Sequence, residues 1–354
     1  MILSLRHVKQ AALALAILTL FSMAGTFLWN LYDLKFSIRK QVDIDAQQRV
    51  QNVDSYVHDL QLLLRAPFNI YDFGHMGERI SLFSKLATEV TRDKSLSQKE
   101  LMDLLKKYFP WWMFTPSVYL PWAPPAGTSE TTGIVISAGS GNMVFAIHLI
   151  HNLRNVVHSK LPITIAYAGD NDLSFSDRVK LTSIGPDIDT LNILDAFDDA
   201  IGGLQGGGWG LKPFSILGSR YQRVIMADAD AIFLKNPDFV FETEPGLIDT
   251  GTLFWHDRFI PNGDDGGRVA WFKEMMHDKT PSAMLNSSLF WHQNSFHEMD
   301  SSCVIMDKGR PNVFMSLVFA TWMNTEEVRR EVTYQKFHGK PIGVRHVPMP
   351  ASCL

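Results

Sequence analysis

The chain predicts an α/β fold, a mostly parallel sheet flanked by helices and preceded by an apolar N-terminal helix and a polar, loosely helical stretch. Three observations predict it. Strand-length apolar runs alternate with helix-period segments between residues 133 and 194, the signature of a parallel sheet. A further run, Arg223-Val-Ile-Met-Ala-Asp228-Ala-Asp230, stops at two carboxylates one residue apart. Finally, Ala11 to Leu31 carries no charge, and about 20 such residues suffice for a helix to cross a bilayer core.

The elements follow in chain order. Arg6 and Lys9 precede the apolar run on a short tail, and Lys35, Arg39 and Lys40 follow it. Basic residues alone leave its orientation open, whereas the short tail favours a cytoplasmic N-terminus. A retained anchor over 11–32 is the preferred reading. Its rival is a cleaved signal peptide, for which Ser22-Met23-Ala24 offers a small-residue cleavage site. Either way the remainder faces a secretory lumen. From Asp33 to about Leu64 apolar positions such as Val42, Val50, Val57 and Leu64 recur with a loose helical period. Ser97 and Glu100 form a capping box that opens an amphipathic helix, which Pro110 ends. Prolines mixed with aromatics over 110–127 suit an ordered linker better than a flexible spacer. A boundary is expected near Glu130.

Gly133 to Ala138 reads as a buried strand, Gly139-Ser-Gly141 as a tight turn, and Asn142 to His158 as a helix. Pro162 to Ala168 repeats the strand signal, Phe175 to Thr182 reads as a helix, and Thr190 to Leu194 as another strand. The Arg223–Asp228 run closes the series. Open sheets of this kind bind ligands beyond the C-terminal ends of their strands, where Ser137 to Gly141 and Asp228 to Asp230 would both lie. In an extended backbone, Asp228 and Asp230 share one side. Two hard oxygen donors there can hold Mg²⁺ or Mn²⁺, or simply be a solvated strand end. The turn at Gly139 and Gly141 is not the glycine pattern of a dinucleotide site. It serves equally as a phosphate cradle or a chain reversal.

The glycine-rich stretch from Ile201 to Gly210 lets a backbone approach a ligand or move over it. Lys212 then opens a helix with Pro213 in its first turn, placed to meet a diphosphate or to stay solvated. Thr250 to Arg258 reads as a strand ending in Trp255, His256, Asp257 and Arg258, which can shape a sugar pocket or form a surface pair. Asp264 and Asp265 lie in a turn-rich loop and read as solvent-facing. Asn286-Ser-Ser288 is a glycosylation sequon. Glu298 and Asp300 precede an apolar run that ends at Asp307 and Lys308, and two helices follow over 312–324 and 325–335.

Composition narrows the function classes. A chain of 354 residues with 46% hydrophobic residues supports a large core, and a net charge of −4 without a basic run argues against a nucleic-acid partner. Cys303 and Cys353 are the two cysteines, so no disulfide framework holds the fold. Two thiols are the plainer reading, and a single bridge between them stays open.

Taken together, Gly133-Ile-Val-Ile-Ser, Gly208-Trp-Gly-Leu-Lys212-Pro-Phe, Val224-Ile-Met-Ala-Asp228-Ala-Asp230, Asp257-Arg258 and His297-Glu298-x-Asp300-Ser-x-Cys-Val-Ile-Met-Asp307-Lys308 resemble the fungal Golgi α-1,3-mannosyltransferases. The likeness runs from about Gly133 to Gly339 in consistent order. The resemblance implies a GT-A-like, Rossmann-related sheet and a type II Golgi membrane protein. Its divisions would be a cytoplasmic tail 1–10, an anchor 11–32, a luminal stem 33–130, a catalytic domain 131–339 and an atypical tail 340–354. It implies GDP-mannose as donor, Mn²⁺ (or Mg²⁺) held by Asp228 and Asp230, and transfer with retention to an N- or O-linked, mannose-bearing glycan through an α-1,3 linkage. Asp228, Lys212, Gly139 and Gly141 would contact the nucleotide-sugar, Glu298 and Asp300 would serve at the reacting centre, and the chain would work within a Golgi glycosyltransferase complex. A covalent carboxylate intermediate and front-face attack both fit retention.

Two features depart from the family's pattern. Asp300 and Ser301-Ser302 stand where the family usually has Glu and Ser-Gly. Beyond Gly339 the family continues into an acidic and aromatic segment, whereas Lys340 to Leu354 has no strand or helix period. Two rival classes therefore stand beside the transferase: a luminal protein that keeps the fold without turnover and assists active partners, and an aspartyl-nucleophile phosphohydrolase.

Overall fold

The computed structural model describes residues 131–257 and 299–333 without interruption, and parts of 47–121 and 267–292. Expectations for 1–32, Ser97, Arg258, Asp264, Asp265, Glu298 and 340–354 lie outside the described residues. Among the described residues no helix is long and apolar enough to cross a membrane. The chain divides into two compact units, Met1–Ser55 and Tyr56–Leu354. In the first, residues 47–48, 51 and 53–55 are helical.

The second unit is built on six strands: β1 Thr132–Ser137, β2 Ile163–Tyr167, β3 Ile188–Asn192, β4 Arg223–Asp228, β5 Thr252–His256 and β6 Met299–Asp307. Their order in the sheet is β3-β2-β1-β4-β6-β5. The pairs β3–β2, β2–β1 and β1–β4 are parallel, while β4–β6 and β6–β5 are antiparallel. The sheet is thus mixed. Its parallel part is the one predicted by alternating strands and helices, and its antiparallel edge needs no crossover helix.

The central strands β1 and β4 are buried through their middles, and β2 along its whole length. Such near-continuous apolar runs are what a sheet covered on both faces requires. One face carries Ile134, Ile136, Ile163, Ile165, Ile225 and Ala227 against a helix at Met143–His151, here α1. On the other face Ser137 Oγ lies 2.9 Å from Ser215 Oγ in the helix Leu211–Gly218, here α2. Strand β3 is displaced two residues towards the N-terminus from its expected span, because the 3₁₀ turn at Ile193–Asp195, capped by Asn192, already bends the chain away. The helix expected to reach His158 stays regular only to His151 and continues as a wide turn over Asn152–Val156.

A third helix, α3 at Pro311–Met323, is buried on every side from Val313 to Met323. A helix that is apolar all round needs partners on all its faces. Helix α2 supplies one, and the helix Phe73–Asp93 another. Phe73 meets Phe319 and Trp322 edge-on, and the Trp111 indole donates to Thr321 Oγ1 at 3.2 Å. The helix Phe73–Asp93 and Trp111, both within the expected stem segment, therefore supply part of the cover for α3, and these contacts cross the expected boundary near Glu130.

Lys308, just past β6, is fully buried. Its ammonium donates to the carbonyls of Ile216 at 2.9 Å, Leu217 at 3.3 Å and Ser219 at 2.7 Å, and to Ser219 Oγ at 3.2 Å. These are the carbonyls that a helix leaves without partners at its C-terminus. Burial pushes the Lys308 pKa well below 10.5. The ring of oxygens at the negative end of α2 opposes that shift.

Candidate active site

The strand order reverses between β1 and β4: β2 and β3 extend the sheet on one side of β1, and β4 opens the other. A crevice outside the strand ends at such a point is the usual ligand site of an open α/β sheet. Ser137 pairs with Asp228 at the C-terminal ends of the two strands. A cleft of about 880 Å³ opens there.

Asp228, Asp230, Asp257 and Asp300 line this cleft together with Lys212, Gly139, Gly141 and Trp209. The structure thus brings Asp228, Asp230, Asp300, Lys212, Gly139 and Gly141 into one cavity with Asp257, whereas Trp255 and His256 are not among its lining residues, and Arg258 and Glu298 lie outside the described residues. Asp228 and Asp230 do not share one extended face, however. Pairing of β4 stops at Asp228 on one side and at Ala227 opposite Cys303 on the other. With no ladder to continue, the chain turns, and the Ala231 N–H donates to the Asp228 carbonyl at 3.0 Å. Asp228 stays partly buried, and Asp230 is exposed at the rim.

Lys212 is engaged rather than free. Its Nζ lies 2.6 Å from Asp228 Oδ1 and 2.8 Å from Oδ2, and donates to Ser301 O at 3.0 Å and Ser301 Oγ at 3.1 Å. An ammonium has three donors, so two partners account for all of them. Burial raises the pKa of Asp228, Lys212 opposes the rise, and the nearby charges of Asp230 and Asp300 add to it. Within β6, opposite Trp255, Asp300 lies inside the strand rather than before it, and its Oδ1 accepts the Ser302 N–H at 2.8 Å. The same acids act on the neighbouring Cys303, whose thiol pKa is pushed up to about 12 by burial and then by Asp228 and Asp300.

The glycines divide by role. A Cβ on Gly139 would collide with Asp172 Oδ1, so this position is required by packing. Gly206 and Gly208 line the cleft with φ of +79° and +55° and have open space around them, a backbone that only glycine adopts cheaply. Between them and α2, Trp209 is 45% exposed.

Among the described residues there is no group of three or more His, Cys, Asp and Glu placed to hold a metal ion. The donor set fits a cation that arrives with phosphate. Mg²⁺ is commonly held by one or two carboxylates plus substrate phosphates rather than by an all-protein cage. Asp230 is the more accessible of the pair, since both oxygens of Asp228 face Lys212.

Asp172 and Asn142 also line this site, and reading the sequence did not single them out for it. Asp172 had one usable signal, its position shortly after the C-terminal end of β2. Ser301 was noted in the sequence only as part of the motif around Asp300, and nothing there showed that it would meet Lys212.

Comparison with known proteins gives the chain a family. Residues 131–341 match the family model described as "Mannosyltransferase putative". An alpha-1,2-mannosyltransferase of Candida albicans, MNN24, is 28% identical over 197 residues, covering 50% of this chain and 27% of its own length. A "Putative alpha-1,3-mannosyltransferase" of the same organism, MNN14, is 24% identical over 226 residues, covering 56% of this chain and 31% of its own. The chain therefore spans less than a third of the length of these curated relatives. Among solved structures, galactosyltransferase LgtC with donor and acceptor sugar analogs aligns at a TM-score of 0.36 and 11% identity, over 60% of this chain and 67% of that one. The apo structure of the bifunctional glycosyltransferase WbbM aligns at 0.35 and 10%, over 56% of this chain and 37% of that one. What the family match does define is a protein of the glycosyltransferase superfamily. More narrowly, the chain belongs to the mannosyltransferase family whose model spans residues 131–341.

Proposed function

We propose that this chain transfers mannose from GDP-mannose to a mannose-bearing glycan on a glycoprotein, with retention and through an α-1,3 linkage. The observation that carries the reading is the convergence of four aspartates and Lys212 on one cleft at the strand-order reversal. Sugar transfer from a nucleotide donor needs negative charge managed at the leaving diphosphate and positive charge stabilised at the sugar carbon. One cleft lined by acids and a lysine suits both.

Asp230 and Asp228 would hold Mn²⁺ or Mg²⁺, which when bound supplies charge neutralisation for the departing diphosphate. Lys212 opposes the rise in the Asp228 pKa and aims the carboxylate, so its contact with the diphosphate would draw on a donor now given to Ser301 or Asp228. Gly141, Gly206 and Gly208 allow close backbone approach to the donor. Asp300 faces the sugar centre from the opposite strand, with Glu298 assigned beside it, and the carboxylates there stabilise an oxocarbenium-like carbon. Residues 11–32 would anchor the protein in the Golgi membrane with residues 33 onward in the lumen, and its partners would be other Golgi glycosyltransferases.

The test is mannose transfer from GDP-mannose to an α-mannoside acceptor, with Mn²⁺ and with a chelator. Asp230→Ala should lose at least about a hundredfold in kcat, the scale of removing one charge-stabilising group, while its melting temperature holds because the side chain is exposed. Full activity in that variant sinks the assignment. The one-bond carbon–proton coupling at the anomeric carbon of the product decides retention.

A further inference from the structure

Six of the nine residues from Gly202 to Gly210 are glycines, and glycine loses more conformational freedom on ordering than any other residue. Local bonds hold this loop one turn at a time. Asp199 Oδ1 accepts the Leu204 N–H at 2.7 Å and the Gln205 N–H at 3.0 Å, the Leu204 carbonyl accepts the Gly207 N–H at 2.9 Å, and the Gly207 carbonyl accepts the Gly210 N–H at 3.1 Å. None of these bonds ties one end of the loop to the other. Arg329 touches both. The chain leaves α3 at Met323 and returns to the loop through the short helical turn Glu326–Val328. There Arg329 is buried, its Nη2 donates to the Gly203 carbonyl at 3.0 Å, and its Nη1 donates to the Asn324 carbonyl at 3.0 Å. At the far end of the loop, a Cβ on Gly210 would stand 2.9 Å from Arg329 Nη1 and 3.2 Å from its Cδ. The planar guanidinium presents its donors in a fixed fork, which suits it to bridge two carbonyls. Glu326, from the same turn, packs against Gly203 closely enough to exclude a Cβ there.

We propose that Arg329 is a positioning residue for the transfer reaction. By holding both ends of the Gly203–Gly210 loop it sets where Gly206, Gly208 and Trp209 stand at the cleft, and it fixes the start of α2, which carries Lys212. Arg329 is not itself among the residues that line the cleft, so it acts through the loop. The kinetic consequence rests on the sugar-transfer reading above, whereas the hold on the loop rests on geometry alone. A loop released at one end samples conformations in which that wall of the cleft is missing. A donor that needs the wall then binds only the molecules that have it, and its apparent affinity falls by their fraction. The chemical step in the bound complex is unchanged. The signature is a raised KM at a constant kcat. A side chain that only stabilised the fold would instead reduce the amount of active protein and leave KM alone.

The test is amide hydrogen exchange and steady-state kinetics on the full chain carrying Arg329→Lys. The ammonium keeps the charge but cannot stand at the positions of Nη1 and Nη2 together. Amides of residues 203–210 should exchange about tenfold faster than in wild type, the effect of one hydrogen bond from a charged group, while those of β1 and β4 keep their wild-type rates. KM for GDP-mannose should rise about tenfold, with kcat within about twofold of wild type. Wild-type exchange in the loop of the variant overturns the proposal, and so does a fall in kcat at an unchanged KM. If the wild-type chain transfers no mannose, the functional reading falls, and the exchange rates still decide whether Arg329 holds the loop. Should Arg329→Lys not fold, Gly210→Ala disturbs the same contact from the other side. Gly210 has φ −60° and ψ −15°, a conformation open to any residue, so the added methyl acts by pressing on Arg329. Loop exchange should rise about fivefold, and wild-type exchange there overturns the proposal equally.

Discussion

Two lysines bracket helix α2, and their surroundings differ in kind. Lys212, at the N-terminal end, is partly open to the cleft and pairs with a carboxylate that is itself half-buried. Lys308, just past the neighbouring strand β6, fills the C-terminal end, meets no acid among the described residues, and is closed off from solvent. The first places a charge beside a charge in a space that a ligand can enter. The second spends its charge on backbone carbonyls in a space that nothing enters. Burial alone therefore does not mark a functional lysine; what matters is whether its partner has chemistry left to do.

This contrast can be broken most severely at the closed end. Lys308→Met removes the donors for three backbone carbonyls and should cost about 2–4 kcal/mol of stability, read by urea denaturation. Turnover per folded molecule should hold nearly constant. At the open end, Lys212→Met should do the reverse. Asp228, whose pKa burial already raises, loses its counter-charge, so kcat should fall about a hundredfold, equivalent to about 2.7 kcal/mol. The stability cost should be no more than about 1–2 kcal/mol, because water reaches the pair.

A smaller effect appears in the pH dependence. The folded pKa of Lys308 lies below its unfolded value near 10.5. Between those two values the unfolded chain binds the extra proton, so this group makes stability rise with pH and takes that gain away as pH falls through the folded pKa. The difference in unfolding free energy between wild type and Lys308→Met should therefore slope with pH below 10.5. A flat difference would show that the carbonyl ring restores the ordinary lysine pKa. Smallest is Ser301→Ala, which removes one of the bonds to Lys212 but keeps the backbone carbonyl. A loss of about three- to tenfold in kcat/KM is expected, one neutral hydrogen bond's worth.

The same contrast shows what could be read in advance. The strands β1, β2 and β4 were legible because their burial on both faces writes continuous apolar runs. Asp228 and Asp230 were legible because they interrupt such a run. The turn that separates them was not, since it depends on where neighbouring strands stop pairing. Lys308 looked like ordinary polarity at a strand end, because only the return of α2 over β6 shows what its ammonium meets. Lys212 was noticed, but its partner was not, for Asp228 is 16 residues away in sequence and Ser301 further still. Asp172 and Asn142 were missed because their meaning lies in their relation to Gly139, a glycine whose small size is dictated by the carboxylate above it.

The all-round burial of helix α3 bears on how this protein should be cut for expression. The family match begins at residue 131, but Phe73 and Trp111 lie before that point and cover α3. A fragment starting at 131 would carry every described cleft residue and still present a greasy helix to solvent, an invitation to aggregate. The family match outlines residues 131–341, and the cover of α3 begins 58 residues before it, at Phe73.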